Sequence, residues 1–403
     1  MKKSTFKLFG ILTLVAGLIT SCSSSDNPTP TTPPSSTFTA DANNFQGIIN
    51  DGIVTLDATK TYKLTGKVQV NNGATLTIPA GTIIQGTGGT QSYIAVAQGG
   101  KINVEGTAAK PVVMTSGLAK KAAGDWGGLV ICGKAPINRI NGGQGTAQSE
   151  VADLTYGGTV ANDNSGSLKY LRIEYAGAAF NSEKEFNGLS LFGVGSGTTI
   201  DYVEFYQGAD DGVEFFGGTV NTSNLVSIGN EDDQFDWTEG WSGTNTNWYG
   251  KLDFGKGNRG IEADNFELGY AFTPIANPSI TNLTLVGPGS APTTGTWLEN
   301  DAMKLRRGTK GVFTNLFFSN WKVGFNVENN ETIAFIPTGL KAVNVNYTTD
   351  VATKTSGKLN AVAPATSGLS TDVSGIVTST GTSTGAGNGA AMPTWAAGWS
   401  VGF

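Results

Sequence analysis

The chain has no histidine among its 403 residues. This excludes Ser-His and Cys-His nucleophile systems, histidine-ligated zinc and any histidine general base. Cysteine is scarce too: of Cys22 and Cys132, the first falls at the end of an N-terminal leader, which leaves a lone thiol and no intrachain disulfide. Charged residues are only 14% of the chain, and acids outnumber bases 32 to 26. That balance disfavours nucleic acid and anionic membrane surfaces as partners. No long stretch carries an apolar period of 3.6, which argues against a helical fold. Glycine, by contrast, is abundant at 57 residues, and short apolar runs separated by Gly and Asn turns read as all-β.

Residues 209–218 (ADDGVEFFGG) and 231–240 (EDDQFDWTEG) carry one pattern 22 residues apart, with Asp210 over Asp232, Asp211 over Asp233 and Glu214 over Asp236. A repeat of that length with apolar positions at period two describes one rung of a parallel β-solenoid. The pattern extends. Residues 189–191 (LSL), 213–215 (VEF), 235–237 (FDW), 261–263 (IEA), 303–305 (MKL) and 325–327 (FNV) all read apolar, polar, apolar, as a strand with one buried face requires. The steps between them are 24, 22, 26, 42 and 22 residues, so the long step holds an insertion.

A second strand family has apolar residues at positions one, four and six: Leu168/Leu171/Ile173, Ile200/Val203/Phe205, Ile280/Leu283/Leu285 and Phe313/Leu316/Phe318. Residues 67–138 read as the first rungs, with Asn-Gly and Pro-Ala-Gly corners. A solenoid adds rungs to one core, so the expectation is one structured domain, an all-β parallel β-helix. In that register Phe235, Trp237, Ile261 and Met303 point inward, and Cys132 within GLVIC is a buried strand residue.

Lys2, Lys3 and Lys7 precede the apolar run at residues 8–19, which ends in Thr20-Ser21-Cys22. The run is too short to span a bilayer and has the layout of a secretory signal. Small residues before a cysteine resemble the lipobox of bacterial lipoproteins, cleaved before Cys22 and acylated there; an ordinary signal peptide with an incidental cysteine is the alternative. Removing residues 1–21 takes away three lysines and moves the net charge from −6 to −9. Ser23 leans, by the sorting rule for such lipoproteins, toward the outer membrane. Residues 22–40 are expected to be a flexible Ser/Thr/Pro tether, residues 41–349 the β-helix, and residues 350–403 a Gly/Ser/Thr-rich segment whose tail carries Trp395, Trp399 and Phe403. The tail either covers the open end of the solenoid, where strand edges are unpaired, or docks elsewhere.

Strand spacing of about 4.8 Å places Glu214, Asp236 and Glu262 in one outward column, with Asp210/Asp211 one rung from Asp232/Asp233. Two like charges about 5 Å apart repel by roughly 3 kcal/mol at an effective dielectric near 20, so a shielded cluster needs an offset. Lys304, next in the column, and Arg259, beside Glu262, supply part of it. A hard cation such as calcium, which takes carboxylate and carbonyl oxygens, supplies the rest at Asp210, Asp211, Asp232, Asp233 and Asp236. The competing expectation is a solvated hydrophilic face. Trp241, Trp248 and Tyr249 are read as a polar loop after Asp236, and Trp297 as part of the long insertion, where rings beside Glu214 and Glu262 would stack on sugars; capping the core from outside is the alternative for them. No catalytic residue stands out. A lyase would need calcium with a Lys or Arg base, for which Arg259, Lys304, Arg306 and Arg307 are present without a spacing that selects one.

The rung length, the Asn-rich corners and the phrases WGGLVICG, GVEFFGGTVN and DDQFDWTEGW resemble pectin-lyase-like right-handed parallel β-helix proteins, in particular a group of Gram-negative surface lipoproteins. The resemblance implies a fold and not a reaction, because that superfamily includes polysaccharide lyases and hydrolases as well as adhesins and scaffolds. Asp210-Asp211 and Asp232-Asp233 look like the hydrolases' Asp-Asp motif, but the partner Gly-His-Gly motif is absent. The sequence therefore reads as a lipid-anchored cell-surface β-helix that binds a polysaccharide or serves as a scaffold subunit of an outer-membrane protein complex, with no nucleic-acid partner. The alternative is a calcium-dependent polysaccharide lyase or glycoside hydrolase.

Overall fold

The computed structural model describes residues 35–182, 184–253, 257–289, 299–362 and 365–403. The expected leader, Cys22 and Trp297 lie outside the described residues. Strands wind about one axis as a parallel β-helix. In what we call the front ladder, Leu189–Phe192, Val213–Phe216, Phe235–Thr238, Arg259–Asp264, Asp301–Arg306 and Val323–Glu328 pair successively in parallel. Glu214 stands opposite Asp236 and Phe215 opposite Trp237. A slip of one residue would turn the rings outward and the acids into the core, so alternation pins the register.

The other two ladders share strands. In an early rung Lys101–Glu105 and Val112–Ser116 are separate, and they pair with the first and second halves of one continuous strand, Gly166–Glu174. Between those halves stands Tyr170, and its counterparts in later rungs are Tyr202, Asn224, Asn247, Asn282, Asn315 and Asn344, all at positive φ. A left-handed residue bends the strand and breaks its period-two parity, which is the physical origin of the one-four-six spacing. Asparagine tolerates this conformation well. From Asn247 onward each ladder amide also donates to its predecessor: Asn247 to Asn224 at 2.9 Å, Asn282 to Asn247 at 2.9 Å, Asn315 to Asn282 at 3.1 Å and Asn344 to Asn315 at 2.8 Å.

Inside, Phe235, Trp237, Ile261 and Met303 are wholly buried, as alternation requires. Cys132 is buried as well, and burial pushes its thiol up to about 12. Trp241, Trp248 and Tyr249 depart from the sequence reading, for all three are buried. Trp248 and Tyr249 belong to the strand Thr244–Lys251, where Trp248 pairs with Leu225 and Leu283 and stacks on Phe235 at 4.6 Å. Trp241 stacks on Phe215 at 3.9 Å. The strand was hidden because its positions one and six are Asn245 and Gly250 rather than large apolar residues. Gly250 is required there, since a Cβ would meet the Phe235 ring at 3.0 Å. Tyr249 faces outward but is covered, its hydroxyl donating to the Ala390 carbonyl at 2.7 Å.

The ends also differ from expectation. Ser35 bridges Ile53 and Phe38 packs against the core, so the described end of the tether is held. The solenoid continues past residue 349 to Thr353–Lys358, which pairs with Val323–Glu328. Beyond it Val373 and Ile376 enter the core, while Val377 and Thr380 bridge to Ala342 and Val345, and this stretch closes the end. The rest of the tail turns back along the outer flank, so both expected placements occur in one segment.

Candidate functional site

The outward face of the front ladder changes character along the axis. Its early rungs, the strand Trp126–Cys132 and its partner Leu189–Phe192, present Val130, Cys132 and Phe192, which with Phe216 on the next strand are covered by Ile137, Val151 and Tyr156 from the insertion at residues 133–165. The middle rungs present Glu214, Asp236 and Glu262 in direct register, and the later rungs Lys304 and Asn326. The column expected from the sequence is therefore present.

The turn before each acidic strand brings the remaining acids to it. Asp211 Oδ1 accepts a hydrogen bond from the Asp233 backbone N–H at 2.9 Å, and both side chains are buried. Carboxylate oxygens gather in three overlapping groups, Asp210/Asp211/Asp232, Asp211/Glu214/Asp236 and Asp233/Asp236/Glu262, each within 4.8 Å. Burial, and then the neighbouring acids, hold Asp211, Glu214 and Asp236 well above the usual carboxylate range. Burial and Asp232 push Asp210 up to about 8. Asp233 is raised by burial and Asp232, against the pull of Arg259.

Among the described residues, ion pairs to this cluster are made at one edge, at Asp233 and Glu262. Arg259 Nη1 lies 3.0 Å from Asp233 Oδ2 and 2.7 Å from Glu262 Oε1, and its Nε lies 2.8 Å from Glu299. Arg306 bridges Glu262 and Asp264 at 2.5 and 2.8 Å. Lys304, although next in the column, turns to Glu299 at 2.7 Å. Among the described residues no ion pair reaches Asp210, Asp211, Glu214 or Asp236.

Buried acceptors without donors surround the same acids. Asp233 Oδ1, Asn187 Oδ1 and Asn258 Oδ1 have no hydrogen-bond partner, and Glu262 Oε1 is close to Arg259 yet out of line for a hydrogen bond. Asn187 Nδ2 donates to Glu214 Oε2 at 2.9 Å and Asn258 Nδ2 to Asp232 Oδ1 at 3.0 Å. Both amides thus give their protons to the cluster and keep a bare carbonyl oxygen. Each buried polar atom left unpaired costs about 1–3 kcal/mol, and a hard cation satisfies several such acceptors together, as ordered water does in polar cavities. The donor set is all oxygen, since histidine is absent and the buried Cys132 is not a member of these groups. Such a set suits calcium-like ions over zinc or copper.

Beside the column opens a cavity of about 200 Å³, lined by Glu214, Asp236 and Glu262 together with Arg139, Tyr156 and Glu239. Tyr156 donates its hydroxyl to Glu239 Oε2 at 2.7 Å, and Arg139 Nε lies 3.3 Å from Glu239 Oε1. Burial lifts Glu239 to about 7, opposed by the Tyr156 hydrogen bond and the Arg139 charge. Sequence reasoning missed Arg139, Tyr156 and Glu239. They sit in an insertion without strand periodicity and in a turn before Gly240; the only signal was the long aperiodic gap between Cys132 and Leu168. Of the residues expected to bind ligand, Glu214, Glu262, Arg259 and Lys304 are in or beside the acidic column, whereas Trp241 and Trp248 are inside the solenoid and Tyr249 is on another flank.

Searches of curated proteins and of solved structures find no match to this chain. The family model described as pectate-lyase like beta helix domain does match, over residues 47–400. With its parallel ladders, asparagine-lined bend and inward-outward alternation, the chain belongs to that pectate-lyase-like β-helix family.

Proposed function

We propose that this is a lipid-anchored protein of the outer-membrane surface that holds a hard divalent cation, calcium in the first instance, in its acidic front face and binds a polysaccharide there without catalysis. What supports the cation is the coincidence of overlapping carboxylate groups with bare buried acceptor oxygens. A solvated face would not need to bury Asp211 and Asp233. The cavity beside them has room for about seven waters at 30 Å³ each, or one sugar-sized group. Arg139, whose guanidinium carries five N–H donors, lines the same cavity. Anchoring is supported by the short apolar run that ends in Thr-Ser-Cys at Cys22. A scaffold role in an outer-membrane complex is compatible with the same anchor.

A calcium-dependent lyase would need a basic side chain free to take a proton. Arg259, Lys304 and Arg306 are each tied to two or more carboxylates, which occupies their donors and favours binding over proton abstraction. The deciding experiment is a thermal melt of the leaderless protein in EDTA and in millimolar calcium, followed by a polyuronate pull-down in both buffers. A calcium-dependent rise in Tm and calcium-dependent retention are expected; no shift in Tm refutes the cation. Mass spectrometry of the native N-terminus should show an acylated Cys22, and a mature chain starting elsewhere would remove the anchor.

A further inference from the structure

The outer flank opposite in character to the acidic face carries a second site. Its central outward column runs Arg172, Glu204, Val226, Tyr249, Thr284 and Phe317 in successive rungs; residues 383–399 lie along it in the reverse direction, and residues 401–403 turn back from Glu204 to Tyr249. Among the described residues the segment makes no strand pairing; Ala386, Ala396 and Trp399 pack in one buried cluster with Val226, Ile228 and Tyr249, and hydrogen bonds hold the rest. Asn346 Nδ2 donates to the Ser383 carbonyl at 2.8 Å, the Ala386 N–H to Thr284 Oγ1 at 3.0 Å and the Tyr249 hydroxyl to the Ala390 carbonyl at 2.7 Å. Among the described residues the last strand bridge to the solenoid is that of Thr380.

At the far end the contacts become specific. Arg172 Nη1 donates to the Trp399 carbonyl at 3.5 Å, and the Val401 N–H donates to both oxygens of Glu204, at 2.8 and 3.1 Å. One residue's carbonyl and the amide two residues on are thus read by an arginine and a glutamate that face each other across neighbouring rungs. The Trp399 side chain stands edge-on to the stacked rings of Tyr170 and Tyr202, 5.8 Å from each. Phe403 packs on Tyr249 at 5.0 Å.

Two features of the receiving surface are built for an occupant. Glu204 is an outward residue with no exposure at all, a position that makes sense only with a donor-bearing chain over it. Tyr170 and Tyr202 take left-handed φ values of 47° and 56° where later rungs use asparagine, a conformation that bulky residues rarely adopt. The result is a ring platform in place of an amide ladder.

We propose that this flank is a peptide-docking site for a Trp-x-Val-Gly-Phe segment, and that residues 399–403 occupy it as an exchangeable ligand of the chain itself. Main-chain recognition by Arg172 and Glu204 gives binding, and the tyrosine platform gives selection for tryptophan. The connecting stretch around Gly387 and Asn388 is exposed and supplies the hinge through which a second copy's segment can take the same place. The proposal does not depend on the cation reading, whose acids lie on the front ladder.

The test uses the full chain with a protease site inserted between Gly387 and Asn388. After cleavage, a fluorescent peptide of residues 388–403 is added and its anisotropy followed. Exchange into the site is expected, together with binding at least about tenfold weaker for the Trp399→Ala peptide, as for a central aromatic anchor. A cleaved chain that keeps its melting curve yet takes up no labelled peptide overturns the proposal. So does a cleaved chain that unfolds, because the segment would then be part of the core and not a ligand. In the uncut chain, Trp399→Ala should speed amide exchange at Ser400 and Val401 while the solenoid amides stay protected; unchanged exchange at Val401 also overturns it.

Discussion

The carboxylate of Asp211 accepts a hydrogen bond from the backbone N–H of Asp233, 2.9 Å away and one rung along the axis. One acidic corner is therefore fastened to the next by a side chain that also belongs to two of the carboxylate groups. The bond needs only a carbonyl-type oxygen, so asparagine at 211 keeps it and removes the charge. The double variant Asp211→Asn/Asp233→Asn is expected to fold but to lose the response to calcium that the parent shows. At a hundredfold excess over Kd the parent should gain about 2.7 kcal/mol, read as a rise in Tm. An equal rise in the double variant would place the metal elsewhere.

Phe235 offers a test of the register. It is wholly buried and stacks on Trp248 at 4.6 Å, so Phe235→Ala removes a ring from the middle of an aromatic stack that has little freedom to close. A loss of about 3–5 kcal/mol is expected in urea unfolding. A melt within a degree or so of the parent would mean that this side chain does not face the core.

How much of this was legible depended on whether polar residues were few at core positions. Val213, Phe215, Phe235 and Trp237 announced the front ladder because each is large and apolar. The strand holding Trp248 did not, because Asn245 and Gly250 flank it at inward positions. Those residues are admissible there for reasons that need coordinates: Asn245 Oδ1 accepts from Thr222 Oγ1 at 2.9 Å, and Gly250 leaves space for a ring. The acidic cluster was readable from one repeat of 22 residues. The rest of its cavity lining was not, since Arg139 and Tyr156 come from an insertion with no period to extrapolate.

The asparagine ladder gives a prediction with a built-in control. Asn247 combines a φ of 58° with two amide bonds, to Asn224 and from Asn282. Asn247→Ala loses both bonds and sets alanine in a left-handed conformation, for an expected cost of about 2–3 kcal/mol. Asn247→Gly loses the same bonds without that backbone strain and should recover about 1 kcal/mol. If the two variants unfold at the same urea concentration, backbone conformation contributes nothing at the bend.

Glu204 ties stability to pH on the flank. Burial under residues 399–401 pushes its carboxyl up to about 8, although the Val401 N–H and Arg172 act to lower it and Glu174 adds to the rise. Arg172 Nε is 3.9 Å from Glu204 Oε2, and Tyr206, on the same strand, is the other titratable group that faces it. In the unfolded chain a glutamate titrates near 4.5, so between 4.5 and about 8 the folded chain holds a proton that the unfolded chain has lost. Stability from this group is full below the lower value and falls as pH rises through the upper one. The whole shift is worth at most about 5 kcal/mol. Glu204→Gln stays neutral throughout and keeps an oxygen for the Val401 N–H. It should match the parent at about pH 5 and exceed it at about pH 9 in urea unfolding. A difference between the two proteins that is the same at both pH values would show that Glu204 ionises without penalty, and that the segment over it does not exclude water.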